Sequence, residues 1–310
     1  MKSTLQDYNP HLLLLIVSVI WGFNFSIVKW GVMAFGSLSF ALLRFLVGAP
    51  LLFLVLCRCE DDPWIKCEDF LYFLVLGLVG FGIYQPLWSM GLELSLTSHS
   101  VLILSLSPIV VTLIAFFRKE ELVGWVNLLG VGLGFLGVLF LVQRGEIGLY
   151  SKENVLKGDL LTLIAALCWG FYSYLSKRVL TKYSPLKVST WSVIFGVLWM
   201  FPTSFSSLLG ASWGRFGLSV LGSLLYSTVL AVVLAYVFWN NGVRVLGASR
   251  TLSYQFLIQV FGIWAAWLFY RESLDFSAVL GMSLIVVGLL LSQRRGTFSL
   301  RSRWKYIFRR

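Results

Sequence analysis

The chain has 310 residues, of which 58% are hydrophobic and only 13% carry a charge. An ordinary soluble domain has roughly 45–50% apolar and about 25% charged residues, so this composition excludes a typical soluble enzyme or binding domain and indicates a bilayer as the solvent. The formal net charge of +11 lies on short loops and on the C-terminal segment, which favours attraction to anionic lipid headgroups over nucleic-acid binding.

Ten mainly apolar stretches follow one another along the chain. A membrane-spanning helix needs about 20 such residues, and these stretches reach that length. They are continuously apolar rather than alternating, which favours helices over the strands of a membrane barrel. The sequence therefore predicts an all-α polytopic membrane protein with ten transmembrane helices, near residues 11–33, 37–57, 69–91, 98–117, 123–143, 159–179, 187–209, 216–241, 250–270 and 276–293.

Basic residues on the loops predict how these helices are oriented. With a cytoplasmic N-terminus, 17 Lys and Arg residues lie on the cytoplasmic side and 5 on the opposite side, as expected because Lys and Arg concentrate on cytoplasmic loops. The first stretch is too long for a signal-peptide core and should be retained. We therefore predict a multi-pass protein of the plasma (inner) membrane with both termini cytoplasmic. A basic cytoplasmic tail at 294–310 should contact anionic headgroups.

Two short segments repeat one pattern. Residues 20–30 read IWGFNFSIVKW and residues 168–178 read CWGFYSYLSKR, so a Trp-Gly-Phe and a later Lys recur at a spacing of 148. Further on, Trp88 recurs as Trp239 at a spacing of 151. The recurrence predicts that the chain consists of two similar halves.

The two halves are predicted to be five-helix repeats at residues 1–145 and 159–293, joined by an extracytoplasmic linker at 146–158. Because five is odd, the second repeat must enter the membrane from the side opposite the first, so the repeats are inverted. Inverted repeats with a binding site between them are a recurring transporter design, since two near-equivalent halves can rock about the site.

Several motifs resemble one transporter family. They are the Trp-Gly of the first helix in each half, the segments LLRFLVG at 42–48 and TSHSVLILSLSPIVVTLIAFFRKEEL at 97–122, and the glycine-rich fifth helix. Together they are similar to the EamA-like family of the drug/metabolite transporter superfamily. The resemblance implies a small-metabolite carrier, often an exporter. One departure is Gln259, which stands where the first half has Pro108.

Aromatic and polar residues on stripes of small residues predict the substrate site. Such a mixture suits an apolar pocket with a few orienting groups. For the tryptophans the alternative is anchoring at the membrane interface. For the amides it is hydrogen bonding between helices, and for Arg44 it is snorkelling to the surface. The predicted substrate-binding residues are Trp21, Asn24, Arg44, Tyr84, Gln85, Trp88, Trp169, Tyr172, Gln255 and Gln259.

The predicted function is secondary transport of an amino acid or a related zwitterionic or anionic solute, in the export direction. All 14 Asp and Glu residues fall in loops, tails or helix ends, so we expect facilitated diffusion or exchange rather than a proton relay through a buried acid. The sequence predicts no enzyme activity, no metal site and no cofactor. A proton-coupled exporter using His99 and a lipid scramblase remain alternatives. A homodimer packed through the glycines of the fifth helix also stays open.

Overall fold

The computed structural model describes residues 8–95, 100, 103–118, 123–142, 152–215, 217–270 and 276–294, and within these ranges the chain is helical with no strand. Two helical rods contain a π-helical segment. In chain order the elements are α1 Pro10–Phe35, α2 Ser37–Cys59, α3 Phe70–Gly77, π1 Leu78–Ile83, α4 Tyr84–Leu94, α5 Leu106–Arg118, α6 Trp125–Val142, α7 Lys152–Val179, α8 Pro185–Leu209, α9 Leu218–Leu225, π2 Tyr226–Leu234, α10 Ala235–Leu246, α11 Ala248–Tyr270 and α12 Phe276–Ser292.

Seven helical stretches of the described chain are long and apolar enough to cross a membrane. Three further apolar helices are shorter, at Leu106–Arg118, Trp125–Phe140 and Val279–Ser292. Each lies within one of the ten apolar stretches, but its described length is below the roughly 20 residues that a crossing needs. The seven long stretches are Pro10–Phe35, Ser37–Cys59, Cys67–Leu94, Glu153–Val179, Pro185–Leu209, Leu218–Leu246 and Ala248–Phe269.

A proline accounts for the turn that separates α5 from the helical residues 103 and 104. Pro108 has no backbone N–H with which to bond the carbonyl of Leu104, and Ser105 lies in a turn before the helix. The Ser107 hydroxyl donates to the Leu104 carbonyl instead, at 2.8 Å. In the second half, Gln259 lies inside the continuous helix α11, so the halves differ at this depth, as the sequence predicts.

Helix α7 begins earlier than the apolar pattern predicts. It starts at Lys152, so the polar linker predicted at 146–158 is helical over its second half. Hydrophobicity marks the part of a helix that lies in lipid, but a helix can continue beyond it with polar residues such as Glu153, which suits a first turn because of the helix dipole.

Helices α6 and α12 approach each other closely through glycines. A Cβ atom added to Gly288 would lie 2.5 Å from the Gly134 nitrogen and 2.6 Å from the Gly130 carbonyl oxygen. These distances leave no room for a side chain. Between membrane helices, which gain little from the hydrophobic effect, small residues allow the close packing that holds them together.

Ion pairs tie two loops together at one end of the bundle. The Lys182 ammonium lies 3.0 and 3.2 Å from the two carboxylate oxygens of Asp69, in the loop between α2 and α3. The Tyr183 hydroxyl donates to the same carboxylate at 2.8 Å. Nearby, the Lys187 ammonium lies 3.4 Å from the carboxylate of Glu60. We call these five residues the loop clasp.

Candidate substrate cavity

A narrow cavity lies at the centre of the bundle, between α1, α2, α4, α7, π2, α10 and α11. Its volume, counted as the space open to the centres of water molecules, is about 60 Å³, which is room for a few waters. A solute larger than water must therefore widen the cavity. Eight of the ten residues predicted from the sequence line it, namely Trp21, Asn24, Arg44, Tyr84, Gln85, Trp88, Trp169 and Gln255.

Aromatic rings close one side of the cavity. Trp21 and Trp169, which occupy the same position in the two repeated segments, meet edge to face with ring centroids 5.4 Å apart. Trp239 lies against both at 5.1 and 5.2 Å and is fully buried. Tyr172 stacks on Trp169 at 5.5 Å. We call these four residues the aromatic floor.

Arg44 places a positive charge in the cavity wall. Its side chain is 3% exposed, and its guanidinium lies 5.8 Å from the Phe40 ring centroid and 5.5 Å from that of Phe45. Among the described residues its guanidinium has one hydrogen bond, to the Gln85 side-chain oxygen at 3.5 Å, the long limit of such a bond, and its Nε has no partner there. The ion pairs found among the described residues do not include Arg44.

Burying an unpaired charge costs free energy, because the protein interior solvates a charge less well than water does. The position of Arg44 therefore suits an anion that binds in the cavity and completes its hydrogen bonding. The burial of its side chain argues against the alternative in which Arg44 snorkels to the membrane surface.

Gln85 links the two halves across the cavity. Its amide nitrogen donates to the Tyr236 hydroxyl at 3.0 Å, which leaves its oxygen for Arg44. Tyr236 was missed by the sequence analysis, although it stands 151 residues after Gln85, at the spacing that relates Trp88 to Trp239. The repeat spacing was therefore the signal that could have found it.

Two tryptophan indoles in the wall have fixed hydrogen-bond partners. Trp21 donates to the carbonyl of Ala231 in π2 at 2.9 Å, and Trp169 donates to the Gln255 side-chain oxygen at 2.9 Å. π-helical turns occur often at functional sites, and here one supplies the carbonyl that holds a wall residue. The two rings are therefore oriented by bonds as well as by packing.

Two other wall groups have hydrogen-bonding capacity to spare. The indole nitrogen of Trp88 and the side-chain oxygen of Asn24 are buried and have no hydrogen-bond partner in the part of the chain that the structure describes. Nearly all buried polar groups in folded proteins are bonded. With Arg44, the cavity thus offers a cationic donor, a neutral donor and a neutral acceptor to a bound solute.

Two predicted residues do not line the cavity. Tyr172 belongs to the aromatic floor, and its hydroxyl accepts a hydrogen bond from Asn240 at 2.9 Å. Gln259 is 1% exposed, and neither polar atom of its amide has a partner. His99, the residue named for a proton relay, lies outside the described residues.

Comparison with known proteins follows the same two-part pattern. The model of the EamA-like transporter family matches twice, at residues 9–143 and 156–293. A solved crystal structure aligns with a TM-score of 0.74 at 16% identity and covers 96% of this chain and 98% of its own, which shows the shared fold.

Relatives of similar length carry transporter names. The uncharacterized transporter YyaM of Bacillus subtilis is 24% identical over 287 residues, which are 92% of this chain and 94% of the relative. A probable amino-acid metabolite efflux pump of Escherichia coli is 27% identical over 289 residues, which are 90% and 93% of the two chains. The two family matches together cover most of the sequence, and the chain therefore belongs to the EamA-like transporter family and is a multi-pass membrane protein.

Proposed function

We propose that the protein is a secondary carrier that moves an amino acid or a related zwitterionic or anionic solute across the plasma membrane by alternating access, in the export direction. The observation that carries the proposal is Arg44, a buried cation without a carboxylate partner in the described structure, in the wall of a central cavity. A relative named a probable amino-acid metabolite efflux pump adds support.

The proposed carrier has ten transmembrane helices in two inverted repeats, with both termini cytoplasmic. Glycine packing supports this arrangement. A Cβ added to Gly22 would meet the Gly262 nitrogen at 2.9 Å, and one added to Gly170 would meet the Val111 side chain at 3.1 Å. Gly22 and Gly170 are 148 residues apart, and Val111 and Gly262 are 151 apart. The first helix of each half therefore packs in the same way on the fourth helix of the other.

The solute binds with its carboxylate at the guanidinium of Arg44. Hydrogen bonds to charged groups contribute about 1.5–3 kcal/mol each, so this contact carries a large part of the affinity. The side-chain oxygen of Asn24 accepts a hydrogen bond from an amino group, which the faces of Tyr84 and Trp88 also attract through cation–π contacts. An apolar side chain fits against Trp169.

The substrate moves by facilitated diffusion or exchange. No Asp, Glu or His occurs among the described residues that line the cavity, so no wall group there exchanges protons near neutral pH. Arg44 stays charged in both orientations of the carrier. A carboxylate that neutralises it on binding lowers the cost of holding that charge in the low-dielectric centre of the bilayer.

Liposomes with purified protein test this function. Labelled L-amino acids are offered with no other gradient, and the internal solute is expected to reach the outside concentration and not exceed it when a pH difference is imposed. Arg44→Met should lower the flux at subsaturating solute by about tenfold or more, and Arg178→Met, which removes an exposed charge, should not. Accumulation that collapses with a protonophore would show proton coupling instead. Lipid flipping without solute flux, measured in the same vesicles, would favour a scramblase.

A further inference from the structure

A second set of polar side chains lies behind the aromatic floor. Asn240 is fully buried, and its amide nitrogen donates to the Tyr172 hydroxyl at 2.9 Å and to the Ser189 hydroxyl at 2.8 Å. The Trp239 indole donates to the Ser173 hydroxyl at 3.1 Å. We call Tyr172, Ser173, Ser189, Asn240 and Ser192 the polar layer. The buried hydroxyl of Ser192 has no hydrogen-bond partner among the described residues.

The polar layer has hydrogen-bonding capacity that the described structure leaves unused. The side-chain oxygen of Asn240 is buried without a partner. An unsatisfied buried polar atom is unfavourable, and an apolar residue of similar shape would avoid that cost. The polar layer is therefore poorly suited to permanent packing and better suited to contact with water or solute.

The repeat spacing relates the polar layer to the cavity. At a spacing of 148, the cavity residues Asn24, Phe25 and Arg44 correspond to Tyr172, Ser173 and Ser192.

The aromatic floor follows the same correspondence. Trp88 corresponds to Trp239 at a spacing of 151, while Trp21 and Trp169 correspond to each other across the centre. If the two inverted halves exchange conformations, the cavity of one state becomes the closed layer of the other.

The polar layer lies on the side of the floor that faces the loop clasp. Ser189 and Ser192 follow the start of α8 at Pro185 by four and seven residues, or about 6 and 10 Å along the helix axis. The clasp residues Lys182 and Lys187 flank that helix start. Opening of this end would therefore expose the layer once the clasp separates.

We propose that the polar layer is the second half of the substrate path, closed here, and that it receives the polar head of the same zwitterionic or anionic solute when the protein opens at the clasp end. This inference rests on the proposed carrier function. Because Ser192 stands where the first half has Arg44, a carboxylate meets a cation in one orientation only. The affinity for the solute at the clasp end is then about tenfold weaker than in the cavity, since neutral hydrogen bonds are weaker than charged ones.

Thiol accessibility tests the inference. In a background with Cys57, Cys59, Cys67 and Cys168 replaced by Ser, single variants Ser173→Cys and Ser192→Cys are treated with an impermeant methanethiosulfonate from each face of sealed vesicles. Both are expected to react from the clasp face. Phe25→Cys, the counterpart of Ser173 in the open cavity, should react from the opposite face. Ser18→Cys, fully buried and outside the cavity and the layer, should react at least tenfold more slowly than either.

Two labelling results would contradict the expected pattern. Cysteines at 173 and 192 that react no faster than the one at 18, or that react only from the face used by the one at 25, would overturn the inference. Ser189→Cys serves as a third position if either variant fails to fold, as judged by its thermal unfolding. Solute flux is measured in the same vesicles. Absence of flux in the parent protein counts against the carrier function, whereas flux with unreactive layer cysteines counts only against the second half-site.

Discussion

Replacing Arg44 with Met should make the empty protein more stable and the binding of its solute weaker. The guanidinium is buried with one long hydrogen bond and an unpartnered Nε, so the native protein bears the desolvation cost of a charge without a close counterion. Met is unbranched and adaptable, and it can occupy the space between Phe40 and Phe45.

Both effects have a magnitude that follows from the surroundings of Arg44. Replacing buried ionic groups by apolar residues of similar volume has stabilised other proteins by about 1–4 kcal/mol, and we expect the lower half of that range because Gln85 and the two rings already compensate part of the charge. Loss of one charge-assisted contact weakens binding by about 1.5–3 kcal/mol, or about 10- to 150-fold.

Thermal unfolding of purified protein in detergent measures both effects. The variant should unfold at a higher temperature than wild type without solute, and the stabilisation by saturating L-amino acid should fall. Arg44→Lys keeps the charge and should not gain stability, while Arg178→Met controls for loss of a surface charge at 5.2 Å from the Tyr72 ring. A variant less stable than Arg178→Met, or one with wild-type solute affinity, would refute the role given to Arg44.

Three further predictions concern packing, the clasp and topology. Gly288→Ala should destabilise the protein by about 1–3 kcal/mol in urea unfolding, because its Cβ would overlap the backbone of α6. The control Gly222→Ala, whose Cβ would meet nothing within 4 Å, should be neutral or stabilising. Equal effects of the two substitutions would contradict the close approach of α6 and α12. Lys187→Met should raise the reaction rate of a cysteine at position 192 from the clasp face, and an unchanged rate would show that the clasp does not restrain opening. An impermeant thiol reagent should leave the exposed Cys67 unlabelled in intact cells, and labelling there would reverse the orientation.

The sequence predicted the cavity residues that the repeat or a helical stripe marks. Trp21 and Trp169 were found because they recur, and Arg44 because a charge in an apolar run is rare. Tyr172 and Gln259 were predicted together with them but face other neighbours, because a sequence pattern wider than the cavity also covers the packing around it.

Other features depend on contacts that a sequence pattern does not contain. Both π-helical segments lie inside mainly apolar runs, where residues on every face are alike and the hydrophobic period does not distinguish a π turn from an α turn. Tyr236, the partner of Gln85, carries no motif of its own and is marked only by the repeat spacing. The start of α7 at Lys152 was missed because its first residues are polar and the apolar pattern begins later.

The π-helical segments also fix the rotational register of the cavity wall. A π turn takes up one residue more than an α turn, so π1 at Leu78–Ile83 sets the direction in which every later side chain of that rod points. Deleting one residue within it would leave an uninterrupted helix of nearly the same length. Tyr84, Gln85 and Trp88 would then keep nearly the same direction, because the turn closes as an α turn, whereas the same deletion in the α-helical part of the rod would turn them by about 100° around the axis, away from Arg44 and Trp169. The rod can therefore gain or lose one residue at π1 without moving the wall residues, and it cannot do so in the α-helical turns on either side.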